Sequence, residues 1–233
     1  MKALALPPNL AEQVRDAVVT EIAEGKLRPG ERVIQEQLAQ ELGVSRQPVQ
    51  QALLLLRKQG ILREAPGRGL IVAPMDLDHV RHLYDIRSVL EGLAFRKAAE
   101  RNAARARAEG PALIAAGRAA VAQGSVAAMI AADLAFHDFI YELSGNPLVK
   151  PAMEAQWTHT QRVMGEVLMR DERPRDIWAQ HEDMLGLVMA GDAEGAERAA
   201  REHVTLAADF MIARLTNEEP DPGRRVEPVP ESR

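Results

Sequence analysis

Apolar residues recur at helical spacing along most of the chain and at strand spacing in only one short stretch. Leu10, Val14, Ala17, Val18 and Ile22 share a face and predict a helix over residues 10–25, after the double proline Pro7-Pro8. Pro29-Gly30 is turn chemistry, and a second short helix is expected from about Gln35 to Leu42, closed by Gly43. Ser45 is placed to cap a third helix running to Gly60, with Pro48 in its first turn, where a missing amide hydrogen costs little. The runs "ILREA" and "LIVA" are β-prone and flank "PGRG", which predicts a hairpin with Pro66-Gly67-Arg68-Gly69 at its tip. Two short helices joined by "LGVS" and followed by a hairpin predict a winged helix-turn-helix over residues 1–73.

From Pro74 and Asp76 onward no alternating pattern appears. Amphipathic segments at 77–101, 111–123, 126–144, 148–170, 174–190 and 193–215 predict about six helices, an all-α bundle spanning residues 74–216. They are punctuated at Gly110-Pro111, Gly124-Ser125, Ser144 to Pro147, Arg173-Pro174 and Gly191-Asp192. Residues 217–233, "NEEPDPGRRVEPVPESR", are charged and proline-rich, with too few apolar positions to order themselves, and are expected to form a disordered tail. The fold class is therefore mainly α, with two domains.

Charge and composition narrow the chemistry. The net charge of −5 is unevenly spread: residues 1–74 hold ten Lys/Arg against eight Asp/Glu, so the basic excess sits in the first domain and permits a nucleic-acid partner there. The absence of cysteine removes disulfides, thiolate metal sites and cysteine nucleophiles together. The apolar start is too short for a signal-peptide core and no later run approaches a membrane span, so a cytoplasmic chain with no membrane anchor is expected.

In the first domain, Ser45, Arg46, Gln47 and Gln50 fall at the N-terminal end of the predicted recognition helix. There hydroxyls and amides can meet phosphates, and Arg or Gln can read base edges of double-stranded DNA. Gly67 and Gly69 let the hairpin backbone approach the duplex closely, and Arg68 can enter the minor groove. In the second domain, Asp133 and His137 lie four residues apart in "DLAFHDFI", on one side of a helix with Ile130 and Leu134. His181 falls on the stripe of Ile177, Met184, Leu185 and Val188, and His203 on that of Ala196, Ala199, Leu206 and Phe210. Three imidazoles and one carboxylate directed into a helical core admit two readings: buried hydrogen-bonded pairs, or ligands for a divalent ion such as Zn²⁺, Ni²⁺ or Mn²⁺. His79, His82 and His159 share no such pattern and read as surface or packing residues.

The stretch from "EGKLRPGERV" to "PGRGLIV" resembles the DNA-binding domain of the GntR family of bacterial transcription regulators, over residues 10–73. The resemblance implies that Arg46 is the main DNA-contacting arginine, with Ser45, Gln47 and the wing tip Gly67 to Gly69 beside it. This chain has Gln50-Gln51 where the family usually has Arg-Glu, so Gln50 brings a hydrogen-bonding amide but no charge. Asp133, His137, His181 and His203, with "DLAFH" and "SGNPLV", resemble the metal-site signature of the FCD-type effector domain found in the FadR-like subfamily. That resemblance implies an ion in a bundle cavity with open positions for a small organic or sugar acid, Asn146 near the ligands, and Arg87 facing an anionic effector. An Arg87 salt bridge to Glu91, one helical turn on, is the competing reading. Met164 and Met169 are placed either to line an adaptable pocket or to fill core.

The function these readings imply is a homodimeric, ligand-responsive, metal-containing DNA-binding regulator and repressor on a near-palindromic operator. A structural metal without an effector is one alternative. A metallohydrolase fused to a DNA-binding module is another, but "HEDML" has no second histidine at position 185 and no further inward acid to act as a base, so an enzyme is not expected.

Overall fold

The computed structural model describes residues 10–169 and 177–216; the tail over 217–233 and the Arg173-Pro174 break lie outside the described residues. The described residues form two compact units, one drawn from 10–76, Ala120–Ala131 and 154–169, the other from Leu77–Ala119, Ala132–Met153 and 177–216.

In the first unit, α1 (Leu10–Ala23), β1 (Arg32–Val33), α2 (Gln35–Glu41), α3 (Arg46–Lys58), β2 (Leu62–Glu64) and β3 (Leu70–Val72) follow in order. The strands form an antiparallel sheet in the order β1-β3-β2, with Arg32 opposite Ile71 and Arg63 opposite Ile71 on its other side. β1 was not foreseen, because two residues are too few to show alternation. Val14, Val18, Ile22, Leu38, Val49, Leu53, Leu56, Ile61 and Val72 make one buried core. Val49 and Leu56 are wholly buried, each stabilising the fold by about 1.5–3 kcal/mol. This core locks α3 against α1 and α2, so the polar face of α3 is held outward. Ser45 sits at the N-cap of α3 with extended backbone, but its side chain makes no capping hydrogen bond, contrary to the sequence expectation.

From Glu154 onward, α6 (Val149–Leu168) belongs to this unit. A methyl group at Gly165 would overlap the Ala23 backbone, so glycine is what allows that approach. The buried Arg162 guanidinium donates to the Ala73 carbonyl. Met164 is buried core, and Met169 lies against Gly25.

The second unit holds α4 (Leu77–Gln123) as far as Ala119, α5 (Val126–Ser144) from Ala132 on, the start of α6, α7 (Ile177–Ala190) and α8 (Ala193–Thr216). The helix predicted to end at residue 101 kinks at Asn102 (φ −135°, ψ 30°), whose side-chain amide donates to the Leu143 carbonyl at 2.6 Å, but the chain stays helical through the break expected at Gly110-Pro111. The Ser125 hydroxyl accepts from the Ala128 amide at the start of α5, and Asp192 accepts from the Gly195 amide at the start of α8. Phe95, Phe136, Ile140, Leu143, Leu185 and Val188 fill the interior.

Gly117 on α4 is covered by the Trp178 indole so closely that a methyl group would overlap the ring. Gly117→Ala is expected to lower stability by about 1–3 kcal/mol through overpacking, a drop in Tm of roughly 2–4 °C per kcal/mol. Thermal unfolding monitored by circular dichroism measures it, and an unchanged Tm would show that Trp178 has room to move.

Candidate functional site

The helix-turn-helix presents Arg46, Gln47 and Gln50 on the exposed side of α3, with Ser45 also exposed at its cap. Arg46 pairs with Glu36 of α2, and both side chains are largely exposed. An exposed pair of this kind contributes only about 0–1 kcal/mol, so it yields readily to a phosphate or a base. Gln35 donates to the Arg46 carbonyl at 3.0 Å, tying α2 to the first turn of α3. At the wing, Gly67 and Gly69 both have left-handed backbone (φ 99° and 96°), which makes the tight tip that carries exposed Arg68. Arg32 of β1, which sequence reasoning did not single out, braces this tip by donating to the carbonyls of Arg68 at 2.8 Å and Pro66 at 3.4 Å. Between α3 and the wing runs a groove of about 410 Å³ walled by Gln50, Arg57, Gly67 and Gly69, with exposed Leu54 beside Gln50. Gln50 thus stands where the helix and the wing tip meet.

The second unit brings Asp133 and His137 of α5, His181 of α7 and His203 of α8 together, all buried. One nitrogen from each of the three imidazoles lies within 4.8 Å of the other two. His181 Nε2 is 3.3 Å from His203 Nε2 and 3.6 Å from Asp133 Oδ1, while His137 Nε2 is 4.0 Å from Asp133 Oδ2. The α5 spacing of four residues stacks Asp133 over His137, as the sequence required; α7 and α8 then supply the other two rings.

Each ring is held differently. His137 Nδ1 meets Glu91 Oε2 of α4 at 2.7 Å, and His203 Nδ1 meets Gln180 Oε1 at 2.9 Å. His181 is gripped by rings, stacked on Phe136 at 4.4 Å between centroids and meeting Trp178 edge-on at 4.8 Å. Glu91 also accepts from Arg87 Nε and from the Tyr141 hydroxyl, both at 2.9 Å. Burial alone would raise the Glu91 carboxyl, but His137 and Arg87 outweigh it and hold it far below the usual carboxylate range. Asp133 has no such compensation: burial pushes its carboxyl up, with His137 and Arg87 opposing only in part. Burial, then the neighbouring His203 and His137, push His181 well below the usual imidazole value.

Asp133 Oδ1 and His181 Nδ1 are buried with no hydrogen-bond partner among the described residues. An uncompensated buried carboxylate is costly, by several kcal/mol, and three nitrogen donors with a carboxylate at these separations fit a divalent cation. Arg87 makes the Glu91 salt bridge that its spacing offered, and its guanidinium also lies over the Tyr84 ring at 5.5 Å. Asn146 lies in the α5–α6 turn, where its Oδ1 accepts from the Leu148 amide at 3.1 Å. His79 and His82 are exposed and His159 is half-buried.

A winged helix-turn-helix carried with an all-helical unit that closes around a histidine cluster defines a class of DNA-binding regulators. Residues 10–72 match "Bacterial regulatory proteins, gntR family" and residues 82–206 match the FCD domain, so the chain belongs to the GntR family, in the branch with an FCD domain. It is 30% identical over 200 residues to the "Probable D-xylose utilization operon transcriptional repressor" of Paenarthrobacter nicotinovorans, covering 84% of this chain and 86% of that relative. The solved structure of E. coli McbR/YncC superposes with a TM-score of 0.76 at 25% identity, over 88% of this chain and 98% of that one. A GntR regulator from Rhodococcus sp. RHA1 shares the fold, with a TM-score of 0.71 at 19% identity over 88% and 99%. These families are transcriptional regulators and not enzymes, which sets aside the metallohydrolase alternative. No described helix is long and apolar enough to cross a membrane.

Proposed function

We propose that the chain is a homodimeric repressor, acting on bacterial DNA in the cytoplasm, whose grip on a near-palindromic operator responds to a small organic or sugar acid. The acid would be received at a divalent ion held by Asp133, His137, His181 and His203. The observation that carries the reading is the buried cluster of three converging imidazole nitrogens beside a carboxylate oxygen that has no hydrogen-bond partner among the described residues. A bound ion of this type supplies positive charge and open coordination positions for a carboxylate. The protein's part is to hold the four donors in a dry interior and to exclude competing water. Repression is supported by the function named for the Paenarthrobacter relative. Homodimerisation is supported by exposed Ile86 and Val89, one helical turn of apolar surface on α4, of the kind that a second copy covers in a two-fold dimer. Ser45, Arg46, Gln47, Gln50 and the wing residues Gly67, Arg68 and Gly69 would then meet the two half-sites.

The test is thermal shift on the purified protein, first against Zn²⁺, Ni²⁺ and Mn²⁺, then on the loaded protein against organic and sugar acids, with hits carried into gel shifts. An effector raises Tm in proportion to ln(1 + [L]/Kd) and changes operator affinity, typically by about 1–3 kcal/mol of coupling. One observation favours a second reading, a metal without an effector: the Arg87 guanidinium, the candidate anion receptor, is already engaged by Glu91. A loaded protein whose Tm rises with metal and ignores every acid would select that version.

A further inference from the structure

We infer that Glu91 and Gln180 are positioning residues for the histidine cluster, each fixing which imidazole nitrogen faces inward. The inference rests on the metal-centre reading above and concerns two residues outside the four donors. His137 Nδ1 lies 2.7 Å from a carboxylate oxygen and His203 Nδ1 lies 2.9 Å from the Gln180 oxygen. A carboxylate oxygen and an amide oxygen only accept, so each ring carries a proton on Nδ1, and in the neutral form this turns the Nε2 lone pair to the cluster. Without those acceptors a neutral imidazole exchanges tautomers, and part of the population presents an N–H, which cannot ligate an ion.

The two anchors differ in strength and in fold. Glu91 sits on α4, is wholly buried, and is itself fixed by Arg87 and Tyr141, so His137 hangs on a three-membered charged network. Gln180 sits on α7 one residue before His181, and reaches across to His203 on α8. The dipeptide Gln180-His181 thus serves the cluster twice, the second residue as a donor and the first as the anchor of a donor from another helix. His181 lacks such an anchor. Its Nδ1 has no hydrogen-bond partner among the described residues, and its plane is set by Phe136 and Trp178 instead.

The experiment uses the full chain and zinc as the probe, with affinity read by competition against a chromophoric chelator. The tautomer of each ring is read by ¹⁵N NMR of the metal-free protein. Gln180→Met keeps the volume and removes the acceptor; it is expected to weaken zinc by about 10–100-fold and to mix the tautomers of His203. Gln180→Glu restores an acceptor and is expected to return both readouts toward wild type. Glu91→Gln, which keeps an acceptor oxygen, is expected to retain the Nδ1–H form of His137, whereas Glu91→Met is expected to lose it. If Glu91→Met does not fold, the Gln180 pair decides. Unchanged zinc affinity in Gln180→Met with an unchanged His203 tautomer would overturn the inference. Should the wild-type chain take up no zinc at all, the metal reading fails separately. The inference is then judged on the tautomers alone: Nδ1–H at His137 and His203, lost from His203 in Gln180→Met, upholds it, and Nε2–H at either ring in the wild type refutes it.

Discussion

The double variant Asp133→Ala/His137→Ala is expected to retain no stoichiometric divalent ion after dialysis, where the wild-type protein keeps about one per chain. Two of the four donors are removed from one face of α5, and the two remaining imidazoles, from α7 and α8, cannot close a first coordination sphere. The sign of the effect on stability depends on the ion. Without metal, Asp133 is a buried carboxyl pushed up by desolvation, so truncating it removes an unfavourable group while leaving a small cavity. With metal at 100 times its Kd, the wild type gains about 2.7 kcal/mol, roughly 5–11 °C for a chain of this size, and the variant gains nothing. Elemental analysis and paired melting curves with and without metal measure both quantities. Full retention of the ion in the variant would remove these residues from the site.

Arg46→Ala is expected to weaken operator binding by about 1–3 kcal/mol, roughly 5–150-fold, if the guanidinium reads a base edge. Its ion pair with Glu36 is exposed on both sides, and breaking it costs little. Glu36→Ala should therefore leave affinity unchanged or raise it, since it frees the arginine and removes a negative charge facing the duplex. A gel-shift series at several salt concentrations separates the roles: a base contact costs more on the operator than on unrelated DNA, whereas a phosphate contact weakens both and lowers the salt slope by about one. Equal binding by Arg46→Ala and wild type would exclude Arg46 from the interface.

What could be read in advance followed the physics of periodicity. Asp133 and His137 were legible as one face of a helix because four residues make nearly a full turn. His181 and His203 were legible because each interrupts an apolar stripe that had to be buried. The wing was legible because Pro66-Gly67 and Gly69 leave the chain few alternatives. The anchors were not. Glu91 lies one turn from Arg87, so its spacing reported the helix pair and concealed the longer reach to His137 and Tyr141. Gln180 is an ordinary polar residue beside a buried one until α8 is placed against α7. The strand β1 and the cover of Trp178 over Gly117 each depend on a partner far along the chain, and local propensity carries no trace of such a partner. Ser45 shows the reverse case: the residue type suits a cap, yet its hydroxyl makes no capping bond.

Excising the reading head at residue 76 would cut away the stretch of α6 whose Gly165 is seated on the end of α1 and whose Arg162 satisfies the Ala73 carbonyl. Such a fragment would bare the Ala23 backbone to solvent and leave the Ala73 carbonyl without its guanidinium donor. A stand-alone clone of the winged motif is thus a poorer proxy for the intact regulator than its tidy boundaries suggest, and footprinting belongs on the whole polypeptide.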